Sequence, residues 1–386
     1  MFKKLISGGI FKNVFTLTSG AIIAQAIILL VQMITRRLYG EEDFGAFGVY
    51  MAVLGILVVI FSLKYELALV LPEKDEEASN LLFGVFLISL CFCIISYVIL
   101  LLFFDQIVRL INFPEAYTSW LYFLPLSILL FSLYQSMNYY LIRKKQYKAI
   151  AVNKVTRRTF EGIIQTILGN AGKKTGLFIG DIIGNIANII SAVVQIKIRN
   201  LNINKVSISE MRKVLKKYYS FPVYQVVPGL LNTVSLLLPV FLINSFFGAN
   251  MLSHFHLSSQ VLAAPLALIS LSVSQVLLKD IAERRQNKQY IFKSIFKIAG
   301  YLLLIVLPII LVIYFWAPWI FSLIFSEKWE TSGVISQIVI FSFAIQFIVS
   351  PLSSVLTALE KLKAVAVWQI FYFTLIIGLF FFRDLE

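Results

Sequence analysis

The sequence predicts an all-α polytopic membrane protein, with about eleven transmembrane helices in two parallel-repeat lobes of six and five. Three observations predict it. Of 386 residues, 59% are hydrophobic and 14% charged, against about 45–50% and about 25% in soluble domains. Charge-free stretches recur at the roughly 20-residue length that a membrane-crossing helix needs. Short motifs then recur at corresponding span ends, far apart in the chain. This composition excludes an ordinary soluble domain, a disordered chain and a disulfide scaffold. The net charge of +14 would suggest nucleic acid in a soluble protein. Here the distribution of Lys and Arg accounts for it, and no nucleic-acid partner is expected.

The stretches without Asp, Glu, Lys or Arg run in order. Asn13–Thr35 is the first. It is too long for a signal-peptide core of about 7–15 residues and no small-residue cleavage motif follows, so it reads as an uncleaved span. Phe44–Leu63, Ala78–Phe104 and Ala116–Ile142 come next. A broken region follows, with two short stretches, Gly162–Gly172 and Ile182–Ile196, which read as two helices. Tyr218–Leu278 is long enough for two spans, with its turn at Phe247-Gly248-Ala249-Asn250, since Gly and Asn favour turns. Ile298–Ser326, Thr331–Leu359 and Ala364–Phe382 complete the set. Cys91 and Cys93 lie two apart on a helix and face different directions, so neither a disulfide nor a metal site is expected.

With the N-terminus placed in the cytoplasm, 27 of the 34 Lys and Arg residues fall in cytoplasmic segments. That asymmetry is the positive-inside pattern. It also supports two helices in the broken region, because one missed span would scramble the alternation.

The motif Leu38-Tyr39-Gly40-Glu41-Glu42-Asp43-Phe44-Gly45-Ala46-Phe47 has a counterpart in Phe246-Phe247-Gly248-Ala249-Asn250-Met251-Leu252-Ser253-His254-Phe255, at an offset of 208, sharing an aromatic-Gly pair, an apolar residue four past the Gly and Phe seven past it. Leu141-Ile142-Arg143-Lys144-Lys145-Gln146-Tyr147-Lys148 lies opposite Leu356-Thr357-Ala358-Leu359-Glu360-Lys361-Leu362-Lys363, at an offset of 215. Two homologous six-helix bundles starting on the same side explain both, and such parallel repeats place a substrate site near the interface between halves. The lobes are 1–205 and 206–386. The twin of the sixth span would fall beyond residue 386, so the expectation is a twelve-span plan lacking its last helix.

An ionisable residue within a span is costly and by default marks a functional site. Spacings of three, four and seven put Lys154, Arg157 or Arg158, and Glu161 on one helical face. With a helix starting near Ala149, Arg157 lies roughly 12 Å along it. Paired guanidinium groups suit a phosphate or pyrophosphate, and Glu161, four residues on, is spaced to hold Arg157. The competing reading is a loop or interface anchor whose arginines snorkel to the headgroups. Arg36, Arg37, Lys64 and Glu66 form a second set, either lining a cavity or flanking spans in the ordinary way. Asp181 reads as a proton or sodium site, a helix cap, or a partner of Lys173 or Lys174. Asp181, Glu161 and Glu66 are the carboxylates available for ion coupling. Gln25, Gln32, Asn138, Asn232, Asn244, Gln260 and Gln275 either meet sugar hydroxyls or join helices. Pro125, Pro228, Pro239, Pro265, Pro308 and Pro351 fall within spans, where they kink helices. His254 and His256 read as a helix start rather than a metal site. No Walker motif, Gly-rich nucleotide loop, His-Glu metal motif or Gly-x-Ser-x-Gly elbow occurs, so no enzyme site, metal or cofactor is expected.

Thr35-Arg36-Arg37-Leu38-Tyr39-Gly40-Glu41-Glu42-Asp43-Phe44-Gly45 resembles the first loop of bacterial polysaccharide (O-antigen) flippases. Tyr65-Glu66-Leu67-Ala68-Leu69-Val70-Leu71-Pro72, Asn138-Tyr139-Tyr140-Leu141-Ile142-Arg143-Lys144-Lys145 and Pro351-Leu352-Ser353-Ser354 are similar to further stretches of that family. The family belongs to the multidrug/oligosaccharidyl-lipid/polysaccharide (MOP) exporter superfamily. The resemblance implies a flippase, working by alternating access, for undecaprenyl-pyrophosphate-linked oligosaccharide in O-antigen, capsule or exopolysaccharide synthesis. It implies a multi-pass protein of the bacterial cytoplasmic (inner) membrane. Its implied partners are the lipid-linked oligosaccharide, membrane lipids, a coupling proton or sodium ion, and the polysaccharide polymerase machinery. The alternatives are a cation-coupled multidrug exporter of the same superfamily and a membrane enzyme of polysaccharide assembly.

Overall fold

The computed structural model describes residues 9–197, 205–286 and 292–358, together with Val367, Phe371, Thr374 and Gly378. The described residues are almost wholly helical. In chain order the long helices are α1 (Gly9–Leu38), α2 (Glu41–Phe61), α3 (Asp75–Leu102), α4 (Leu124–Arg143), α5 (Tyr147–Asn170) and α6 (Gly176–Lys197). They continue with the short α7 (Ile208–Lys217), then α8 (Ser220–Gln286), α9 (Phe292–Phe325) and α10 (Glu330–Ala358). Seven helical segments among the described residues are long and apolar enough to cross a membrane. The broken region is two helices, α5 and α6, as the charge alternation requires. The expected span Ala364–Phe382, apart from Val367, Phe371, Thr374 and Gly378, and residues 359–363 of the second repeated motif lie outside the described residues.

Local chemistry explains the boundaries. Gly40 caps α2, its N–H donating at 2.7 Å to the carboxylate of Asp43 in the first turn, and Glu41, Glu42 and Asp43 suit the positive end of the helix dipole. Gly248 interrupts α8 at φ 81°, a conformation only glycine adopts without strain, so the turn expected there is a kink between two helical arms. Gly40 holds the matching motif position at φ −79°, where any residue is comfortable. Pro125 does not kink a span; it occupies the first turn of α4, where its missing N–H costs nothing. Cys91 is exposed and Cys93 buried, both as free thiols.

The chain forms two compact units, Met1–Ala249 and Asn250–Glu386. In the first, α5 packs along both α6 and α1, and α4 packs on α3 and α6. α6 turns Ile186, Ile190 and Val194 outward and buries Asp181, Asn185 and Asn188. Apolar outside and polar inside is the reverse of a soluble helix and fits a lipid solvent. α7 lies on α3 and buries Met211 and Val214, the latter in a cluster with Tyr65, Leu69, Leu81 and Val85. In the second unit α9 packs along α10 around Leu266, Leu302, Val306, Ala344 and Phe347. His254 sits near the start of the second arm of α8, where its Nδ1 is 2.9 Å from Ser332 Oγ.

Candidate functional site

The site is set by a close approach of α5 and α6. A Cβ at Gly184 would stand 2.9 Å from Glu161 Cβ and 3.0 Å from the Arg157 carbonyl oxygen, and one at Gly180 3.0 Å from the Glu161 carbonyl oxygen. Small residues at a four-residue spacing let helix backbones meet in lipid. Across this seam Arg157 Nη2 donates to Asp181 Oδ1 at 3.0 Å. Both side chains are buried, at 7% and 1% exposure. Asn185 Nδ2 donates to the other Asp181 oxygen at 3.0 Å. The Arg157 guanidinium carbon lies 5.2 Å from the Phe131 ring and 5.6 Å from that of Tyr134, which suits cation–π attraction.

The expected pairing of Glu161 with Arg157 is therefore corrected. Glu161 accepts from Arg158 at 2.7 Å, and Arg157 turns to Asp181. The partner of Asp181 is Arg157 rather than Lys173 or Lys174. Spacing along one helix offered Glu161 to either arginine, but only Arg157 faces α6.

Lys154, Arg157 and Arg158 line a cavity of about 200 Å³ with Ala24, Gln25, Ile28 and Tyr134. The three Lys and Arg side chains of this lining are cations, and among the described residues no carboxylate lines it. Arg157 Nε is buried with no hydrogen-bond partner, although an unsatisfied charged donor is expensive. The volume is below the roughly 300–1,000 Å³ of pockets for drug-sized ligands, so it suits a small anionic group rather than a whole sugar.

Gln25, a candidate for sugar hydroxyls, lines this cavity, whereas Arg36, Arg37, Lys64 and Glu66 do not. Arg36 is buried, its Nε donating to Gln32 at 2.8 Å and its guanidinium carbon 3.6 Å from the Phe44 ring centroid; Arg37 is exposed. Lys64 and Glu66 lie beyond the opposite end of α2, 3.9 Å apart. Burial pushes the Glu66 carboxyl above the ordinary carboxylate range, while hydrogen bonds from Ser62 and its own backbone and the charge of Lys64 draw it back.

Sequence reasoning missed the amides of the seam. Asn153 Oδ1 accepts from Ser191 and Gln195, each at 2.7 Å, and Asn185 and Asn188 are fully buried. Their signal was present, because Asp181, Asn185 and Asn188 recur at one helical face. A charged groove of about 480 Å³ was also missed, lined in part by Glu76, Glu77, Lys205 and Lys217. There Lys205 pairs with Glu76 and Lys217 with Glu77, so the charges largely satisfy one another. No group of three or more His, Cys, Asp or Glu able to hold a metal occurs among the described residues.

This helical fold, with spans long and apolar enough to cross a membrane, is similar to that of solved transporters of the MOP superfamily. A multidrug resistance MATE family transporter in its inward-facing conformation matches at TM-score 0.70 and 15% identity, over 92% of this chain and 84% of that one. The lipid II flippase MurJ matches at TM-score 0.70 and 17% identity, over 92% and 78%. A MOP superfamily transporter from Pyrococcus furiosus matches at 0.65 and 15%, over 95% and 87%. At such identities the likeness establishes the fold. The chain belongs to the polysaccharide biosynthesis protein family, whose model matches residues 33–334. The resemblance read from the loop motifs thus holds at the level of a polysaccharide biosynthesis family, with a fold like that of solved MOP superfamily transporters. The teichuronic acid biosynthesis protein TuaB of Bacillus subtilis (strain 168) is 22% identical over 155 residues, 40% of this chain and 32% of that protein. The chain thus aligns with about a third of that relative's length.

Proposed function

We propose that this chain is a flippase that moves undecaprenyl-pyrophosphate-linked oligosaccharide from the cytoplasmic to the outer leaflet by alternating access. Arg157, Arg158 and Lys154 hold the pyrophosphate, and the lipid tail stays in the bilayer. The observation that carries this reading is the cation-lined cavity with the unpartnered Nε of Arg157. A guanidinium fork pairs bidentately with phosphate oxygens, and those oxygens would satisfy the orphan donor. Membership in a polysaccharide biosynthesis family and a fold shared with a lipid II flippase support a lipid-linked sugar as cargo. The Lys and Arg bias supports a cytoplasmic N-terminus in a bacterial inner membrane, and the repeated motifs support lobes 1–205 and 206–386. A cationic lining repels organic cations, which sets this reading against a multidrug exporter.

The test is transport of a fluorescent pyrophosphate-linked oligosaccharide lipid in proteoliposomes. Replacing Arg157 and Arg158 together by Gln is expected to lower transport at least about 30-fold, the effect of losing about 2 kcal/mol or more of charge-assisted contact. Undiminished transport by the double variant would remove both arginines from the cargo site.

A further inference from the structure

We propose that the cargo's anion and Asp181 compete for the Arg157 guanidinium, and that Asp181 takes up one proton when the anion wins. The inference rests on the cavity being a pyrophosphate site. Arg157 is shared between two environments. Its Nη2 reaches back to Asp181 across the α5–α6 seam, and its side chain also lines the cavity with Lys154 and Arg158.

Charge requires the exchange. The cavity cations Lys154, Arg157 and Arg158 and the carboxylates Asp181 and Glu161 leave one net positive charge. A pyrophosphate diester brings two negative charges, which turns the cluster net negative inside a membrane protein. One proton on a carboxylate restores neutrality. Unpaired buried charge is the costlier state, and such groups neutralise instead. Asp181 is the carboxylate to do so, because its side chain is 1% exposed against 12% for Glu161. The groups facing it are Arg157, Arg158 and Glu161 of α5, Tyr50 of α2 and Asn185 of its own helix.

Asn185 serves both forms of the carboxyl. Its Nδ2 donates to Asp181 Oδ2 at 3.0 Å, as a carboxylate requires. Its Oδ1 is buried without a partner, so a turn of the amide offers an acceptor to the protonated acid. Asn188, one turn further along α6, has both amide atoms buried and unpartnered, as is Asn153 Nδ2. Buried amides of this kind are satisfied by bridging water, and a file of amides and water delivers the proton. The step is balanced: a proton leaves water and bonds a carboxylate oxygen, and Arg157 exchanges one anionic partner for another. When cargo departs, Asp181 gives up the proton and reclaims Arg157. Cargo and proton travel together, which lowers the charge crossing the bilayer in each cycle.

The experiment is calorimetric titration of the purified full chain in detergent with P1,P2-dimethyl pyrophosphate. That diester holds a fixed charge over the working pH range, and buffers of different ionisation enthalpy report the protons taken up. The expected result is about one proton per ligand, with affinity weakening about tenfold per pH unit as pH rises. In Asp181→Asn the uptake vanishes, affinity rises and its pH dependence flattens. Binding with no uptake in the wild-type chain, or equal uptake in Asp181→Asn, overturns the exchange while the anion site stands. Equal uptake in the variant would point to Lys154. No binding at all removes the pyrophosphate site, and the exchange with it. If Asp181→Asn does not fold, infrared difference spectra of the wild-type chain decide: ligand must raise a protonated-carboxyl stretch, and Glu161→Gln must keep it. Loss of the band in Glu161→Gln, or no band in the wild type, also overturns the assignment.

Discussion

Two sets of charges in the first unit use the same residue types to different ends. In the α5–α6 seam, Arg157 and Asp181 are 7% and 1% exposed. In the groove between α3 and α7, Lys205 and Glu76 are 59% and 45% exposed. Both are cation–carboxylate pairs that join segments distant in sequence. The surface pairs clip the linker helix onto α3, helped by Asn80, whose amide donates to the Lys205 carbonyl at 3.1 Å and whose oxygen accepts from Ser207 N–H. Water can replace any of these charges' partners. In the seam it cannot do so freely, so the state of one partner dictates the state of the other. Burial, rather than residue type, turns an ion pair into a device.

Breaking the two kinds of pair should separate them by size. Asp181→Ala leaves a buried guanidinium unpaired, and should lower stability by about 3–5 kcal/mol, read as a large drop in thermal midpoint in detergent. A drop no greater than that of the surface pairs would mean that bulk water solvates the unpaired guanidinium. Glu66 lies between the extremes, buried but only 3.9 Å from Lys64, and its carboxyl is raised by burial. Between the ordinary and the raised value the folded chain holds a proton that the unfolded chain has lost. Stability should therefore fall as pH rises through that window and level off above it. Glu66→Gln should flatten this dependence, and a thermal-shift series across pH tests it; an unchanged slope would assign the effect elsewhere. The smallest effect belongs to the groove. Lys205→Met with Glu76→Gln should cost about 0–1 kcal/mol, fading with added salt, as a double-mutant cycle measures.

The spans were legible because lipid demands long charge-free runs, and the arginines of α5 because a charge inside such a run is conspicuous. Their partners were not. Spacing on one helix placed Glu161 within reach of Arg157, whereas the structure gives that reach to Asp181, 24 residues on. The linker helix α7 was also passed over, since its ten residues hold five charges and no span. Its buried Met211 and Val214, three apart, were the available sign.

By itself the sequence determined the membrane class, the order of the spans, the orientation bias and the cationic character of the fifth helix. These depend on local composition, which the bilayer reads directly. Which arginine is buried, which carboxylate it meets and which amides line the seam were decided only when Gly180 and Gly184 let two helices close upon each other. Hydrogen bonds extend over about 3 Å, so such partnerships exist only where tertiary packing brings the groups within reach.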